Sequence, residues 1–112
     1  MKIEVNIWKN VDVVKLISER VTFENVTQFN SFMSDNENFS NTNILIDFMD
    51  CNYIDSTFLG SLIRNYIALK KQNITVKVVC NEKINFILDE VSHLGSVIDV
   101  FLQVDEALKS FE

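Results

Sequence analysis

Proline is absent from the 112-residue sequence, and glycine occurs only twice, at Gly60 and Gly95. Collagen-like and linker-rich chains, and disordered ones, have a different composition. Histidine occurs once, at His93, so no cluster of imidazoles is available for metal binding or acid–base work. The two cysteines, Cys51 and Cys80, match no zinc-type spacing and are too few for a disulfide framework. Both read as reduced thiols of a cytosolic protein. Basic residues are outnumbered, 10 Lys and Arg against 16 Asp and Glu, for a net charge of −6. A nucleic-acid-binding domain carries a basic patch, and none is visible here. No apolar run approaches the ~18 residues of a membrane span. The opening MKIEVNIWKN alternates and lacks the apolar core of a signal peptide. What remains is a 47% hydrophobic chain with nine Phe residues, enough to build one core. A single domain over 1–112 is expected.

The hydrophobic period changes along the chain. IEVNIW alternates, with Ile3, Val5 and Ile7 on one face, and VDVVKLIS follows after Lys9-Asn10. Two short strands about a tight turn predict an antiparallel hairpin. From Thr22, a candidate N-cap, the period turns helical through Val26, Phe29, Phe32 and Met33. After the polar DNENFSNTN loop, ILIDFM reads as a buried strand. Leu59, Leu62, Ile63, Tyr66 and Ile67 then form an amphipathic stripe, with Lys70 and Lys71 in the last turn to complement the helix dipole. ITVKVVC is the next strand. NEKINFILDEVSHLG is a helix with Ile84, Ile87, Leu88 and Val91 inward, capped by Asn81 and ended by Gly95. SVIDVFL is a fifth strand, and VDEALKSF a last helix with Val104, Leu108 and Phe111 inward. The order β-β-α-β-α-β-α-β-α predicts an α/β fold. Its mixed sheet has an N-terminal antiparallel hairpin followed by parallel βαβ units, with about four helices.

In open α/β sheets functional groups collect where strands end and helices begin. The richest such place is DFMDCNYIDST, with Asp47, Asp50, Cys51, Asp55, Ser56 and Thr57. Asp and Ser are common N-caps, and capping alone accounts for their presence. The functional alternative, compatible with capping, is that Ser56 is modified or meets a partner. As a nucleophile Ser56 lacks a base: His93 lies late in the following helix, and there is no Gly-x-Ser-x-Gly elbow. A phospho-accepting Asp47 or Asp50 would need converging carboxylates for Mg²⁺, yet the first strand ends in IWKN. No Gly-rich phosphate loop is present. Cys51 reads as an inert buried thiol, since no cation is placed to activate it.

The stretch from Tyr53 to Phe111 resembles the STAS domains of bacterial anti-sigma factor antagonists. The likeness rests on Asp55-Ser56-Thr57-Phe58-Leu59-Gly60, which follows an apolar strand and opens an amphipathic helix, and on ILDEVSHLGSVIDVFLQVDEAL. The element order agrees with that fold over essentially the whole chain. The resemblance implies that Ser56 is the phospho-acceptor of an anti-sigma factor serine kinase. Unphosphorylated protein would bind that kinase and free a sigma factor, and a PP2C-type phosphatase would reset the site. Asp55 would shape the loop and its recognition, and Thr57 is the neighbouring hydroxyl. Phe58 stands where family members often carry Gly. It either packs under the loop or projects as an apolar contact, so Asp55, Ser56, Thr57 and Phe58 form the expected partner-binding set. SERVTFEN lacks the Gly and Asp often found after the family's second strand. No catalysis and no cofactor of its own are implied, and no nucleic acid or membrane insertion. The alternatives are a non-phosphorylated STAS adaptor in a signalling or lipid-transport complex, and a small enzyme using Ser56 or Cys51.

Overall fold

The computed structural model describes residues 1–91 and 93–112. The expected hairpin is β1 (Lys2–Trp8) and β2 (Val11–Ile17), antiparallel and in continuous register from Lys2↔Ile17 to Trp8↔Val11. Lys9, the first residue of the two-residue turn, takes φ 52° to match the twist of the strands. Strands β4 (Asn43–Phe48), β6 (Thr75–Cys80) and β7 (Val100–Phe101) complete one mixed sheet of order β1-β2-β4-β6-β7. The β2–β4, β4–β6 and β6–β7 pairs are all parallel, as βαβ connections require. Two further strands are too short to carry a periodic signal: β3 (Arg20–Val21) and β5 (Tyr53–Ile54) pair in parallel as a separate ribbon. The expected fifth strand, SVIDVFL, shrinks to the two residues of β7.

Helices α1 (Val26–Ser34), α2 (Ser56–Lys71) and α3 (Glu82–Phe86) cover one face of the sheet. Phe29, Met33, Leu62 and Ile84 meet Val14, Ile44, Ile46, Phe48 and Val78 in the main core. Helix α4 (Val104–Lys109) covers the other face, where Ala107 and Leu108 are buried with Val11, Leu45 and Val79. Val104 and Phe111 pack partly buried against that second cluster. A buried carboxylate pins the loop between α1 and β4. Asp12 accepts the backbone N–H groups of Ser40 (2.7 Å) and Asn41 (3.1 Å) and the Asn41 side-chain amide (3.0 Å). Three donors compensate the loss of water at that group.

Several expectations need correction. On α2 the buried side is centred near Phe58, Ser61, Leu62 and Leu69, about one position round from the expected stripe. Leu59 and Leu62 are buried as expected and Ile63 and Tyr66 partly so, but Ile67 is 45% exposed. The apolar stripe of α2 is therefore wider than the part of it that is buried. Ile7 on β1 is likewise exposed although Ile3 and Val5 pack on the core. Gly95 does not terminate the third helix. The helix passes into a π-helical turn over Ile87–Val91, and His93 takes the left-handed conformation (φ 56°, ψ 26°) before a 3₁₀ turn at Leu94–Ser96. The side chain of Val91, expected on the inner face, lies outside the described residues.

Candidate functional site

The parallel strands β4 and β6 end on the same side of the sheet, and the chain leaving β4 builds the site there. Phe48 is the last buried residue of β4, and the next seven residues must turn and reach the start of α2. Side-chain and backbone hydrogen bonds hold this connection. Asn81, just past β6, donates its side-chain amide to the carbonyls of Met49 (3.1 Å) and Cys51 (2.6 Å). Its carbonyl oxygen accepts the Ile84 N–H at 2.9 Å, so one residue caps α3 and fastens the loop. The Asn52 N–H donates to the Glu19 carbonyl at 2.8 Å, and the Asp55 N–H to that of Val21 at 3.2 Å, along the β3–β5 ribbon.

Asp55 is the N-cap of α2, with φ −89° and ψ 170°. Its Oδ1 accepts the Phe58 N–H at 2.8 Å, the local capping bond. Its Oδ2 accepts the Phe23 N–H at 2.9 Å, from a residue 32 positions away. One carboxylate thus binds the start of α2 to the turn that precedes α1. That turn has its own capping arrangement: Thr22 Oγ1 accepts the Glu24 N–H (3.3 Å) and Asn25 Oδ1 accepts the Thr22 N–H (2.9 Å).

Ser56 and Thr57, the first two residues of α2, are exposed. The Ser56 hydroxyl makes no hydrogen bond with any described residue. Phe58 decides between its two readings by turning inward: it is 0% exposed. Its ring lies 4.8 Å from that of Phe29, tilted 45°, and 6.3 Å edge-on from that of Phe48. The expectation of Phe58 as a partner-contacting residue is therefore corrected. It is the third residue of a helix whose first turn sits over the sheet, so its side chain enters the core while its two predecessors face water.

The apolar surface beside Asp55 comes from residues outside the Asp-Ser-Thr motif. Phe23 is 65% exposed, and Tyr53 is 38% exposed with the Arg20 guanidinium 4.3 Å above its ring centre. Together with Glu24 and Asp55 they line a shallow hollow. Arg20 and Tyr53 meet only because β3 and β5 pair. Phe23 could have been suspected from its place in a polar turn just after the Thr22 cap.

The other candidate residues settle into structural roles. Asp50 pairs with Lys15 at 3.3 Å. Asp47 is buried and accepts the Met49 N–H at 2.7 Å, and burial pushes its carboxyl above the usual carboxylate range. Burial, reinforced by Asp50 and Asp47, pushes the Cys51 thiol up to about 11, and burial with Asp47 pushes Cys80 up to about 12. Cys51 Sγ donates to the Leu16 carbonyl at 3.7 Å. Neither thiol is a ready nucleophile. Among the described residues no group of three or more His, Cys, Asp or Glu side chains is placed to hold a metal ion. No helix among them is long and apolar enough to cross a membrane.

The model of the STAS domain family matches residues 2–107. The chain belongs to the STAS domain family. Solved structures show the same fold at low identity. The anti-sigma factor antagonist from Mycobacterium paratuberculosis is 17% identical, with 97% of this chain and 92% of that one covered and a TM-score of 0.83. A STAS domain protein from Planctomyces limnophilus is 21% identical over 98% and 97% of the two chains, with a TM-score of 0.82. The phosphorylated form of the Bacillus cell fate determinant SpoIIAA is 15% identical over 99% and 100%, with a TM-score of 0.70. No curated protein matches the sequence significantly. This STAS domain presents its Asp-Ser-Thr motif at the head of α2, with the aspartate turned into the fold and both hydroxyl residues turned out.

Proposed function

We propose that this STAS domain is an anti-sigma factor antagonist whose partner binding is switched by phosphorylation of Ser56. The partner is an anti-sigma factor serine kinase of the cytoplasm, which supplies ATP and Mg²⁺, and a PP2C-type phosphatase reverses the modification. The observation that carries this reading is the Ser56 hydroxyl itself, exposed and without a hydrogen bond among the described residues, at the first position of a 16-residue helix. A helix N-terminus accommodates a phosphate, since its free N–H groups and dipole favour negative charge. The fold therefore tolerates the modified residue. An interface does not, because phosphate adds about −1.5 to −2 charges at pH 7 beside Asp55, in a surface that loses water on binding. The exposed Phe23 and the Arg20–Tyr53 pair supply apolar and cationic contact area around the hollow that Asp55, the neighbour of Ser56, helps to line.

The domain carries out no chemistry of its own in this reading. Both oxygens of Asp55 are committed to backbone N–H groups, and His93 sits on the turn beyond the π-helical segment. Ser56 is a substrate, activated by the kinase.

The test is calorimetric titration of wild type, Ser56→Ala and Ser56→Asp against the kinase recovered from the host, with mass spectrometry of the Ser56 peptide. Ser56→Ala should bind as wild type does and take up no phosphate. Ser56→Asp should bind at least about a hundredfold more weakly, the equivalent of about 3 kcal/mol. Equal binding by the Asp and Ala variants would place Ser56 outside the interface. Phosphate on the Ala variant would move the acceptor elsewhere, with Thr57 the first residue to check.

A further inference from the structure

The two edges of the main sheet are unlike. β7 is two residues long and offers almost no unpaired backbone. β1 is seven residues long, without a bulge, and pairs on one side only. Long open edges are normally guarded by proline, bulges or charge, because they template further strand pairing. This chain has no proline, and the two charges of β1, Lys2 and Glu4, neutralise each other at 3.2 Å.

The register of the hairpin states which groups are open. The two-residue turn makes Trp8 and Val11 its closing hydrogen-bonded pair, and bonded pairs alternate from there. Trp8, Asn6, Glu4 and Lys2 aim their backbone groups at β2. Those of Ile3, Val5 and Ile7 point away from the sheet. None of them has a partner among the described residues, whereas the Met1 carbonyl beyond them is taken by the Gln28 side chain at 2.7 Å.

We infer that β1 pairs antiparallel with β1 of a second copy of this chain, about a two-fold axis through Val5, joining two sheets into one of ten strands. This register places Ile3 opposite Ile7 and Val5 opposite Val5, so every outward backbone group of the strand is bonded. It also covers Ile7, which is 59% exposed in the isolated chain, with Ile3 of the other copy. On the opposite face it sets Lys2 beside Trp8 and Glu4 beside Asn6, and the two Glu4 side chains, diagonal across the axis, are each paired with their own Lys2. The strand is thus self-complementary in backbone, apolar surface and charge, as a two-fold contact requires. The surface shares no residue with the one around Ser56, and the inference stands apart from the phosphorylation reading.

The test uses the whole chain in sedimentation equilibrium over a concentration series. The mass should rise from 13.0 kDa towards twice that value. Val5→Pro removes an outward N–H and with it the Val5 side chain that packs partly buried on the core, and Ile7→Lys places a charge against the other copy. Each should hold the protein at monomer mass, with the circular dichroism spectrum unchanged. Register is read with Glu4→Cys and Asn6→Cys. These face each other across the axis as a non-hydrogen-bonded pair with Cα atoms about 4.5 Å apart, within disulfide reach. An oxidised equimolar mixture should yield disulfide dimer at least tenfold faster than either variant alone. A monomer mass at every concentration overturns the inference, as does a dimer that survives Ile7→Lys. Equal cross-linking by Glu4→Cys alone overturns the register. Should Val5→Pro unfold, Ile7→Lys and the cysteine mixture decide.

Discussion

Asp55 serves two structures through two oxygens, and the two roles can be separated by substitution. Asp55→Ala loses both bonds. Loss of the cap to Phe58 N–H costs about 0.5–2 kcal/mol. Loss of the bond from Phe23 N–H, at a partly exposed position, costs about 0.5–1.5 kcal/mol. The sum is about 1–3.5 kcal/mol. Asp55→Asn keeps the cap, because an amide oxygen accepts from Phe58 N–H as well as a carboxylate does. Its NH₂ then faces the Phe23 N–H, donor against donor, so only the second bond is lost. Asn should therefore cost about 0.5–1.5 kcal/mol, and the gap between Asn and Ala measures the cap. Urea melts give both values, with unchanged m-values as the sign that the compact state is the same. Hydrogen exchange gives the location: in Asp55→Asn the Phe23 amide should lose protection while the Phe58 amide keeps it. Equal stability of the Asn and Ala variants would refute the division of labour. So would a protected Phe23 amide in Asp55→Asn.

On α2, Leu62→Ala should cost about 2–5 kcal/mol and Phe58→Ala about 3–5 kcal/mol, because both side chains are fully buried. Arg64→Ala and Ile67→Ala should stay within about 0.5 kcal/mol, both being exposed, and a large loss at Ile67 in the same urea melts would restore the wider stripe. Asp47 has its folded-state pKa raised by burial, so the folded state favours the protonated carboxyl. Its penalty is absent below the unfolded pKa of about 3.9 and grows as pH rises through the window up to the folded value. Asp47→Asn should therefore stabilise the protein at pH 7 and lose that advantage as pH falls towards 4. A gain independent of pH would show that Asp47 is not the cause.

The sequence by itself determined whatever depends on neighbours along the chain. The hairpin follows from alternation and a two-residue turn, and the caps at Thr22, Asp55 and Asn81 follow from side-chain bonds that span only two or three residues. The β-β-α-β-α-β-α-β-α order follows from the change of period, and handed crossovers then leave little choice of topology. The motif that marks the family lies in one contiguous run, from Asp55 to Gly60. Tertiary structure decided everything that needs two distant segments. Two-residue strands cannot be read alone, yet β3 and β5 pair across 33 positions and bring Arg20 over Tyr53. The second oxygen of Asp55 finds Phe23 only once that ribbon forms. Periodicity states that α2 has an apolar side, but its packing against β4 and β6 decides that Phe58 is buried and Ile67 is not. His93, not Gly95, takes the left-handed position, because the turn before it is π-helical and shifts the end of the helix relative to the glycine. Local bonds form wherever the residues stand side by side. Which exposed surface adjoins Asp55 is a property of the β3–β5 ribbon and the turn beside it.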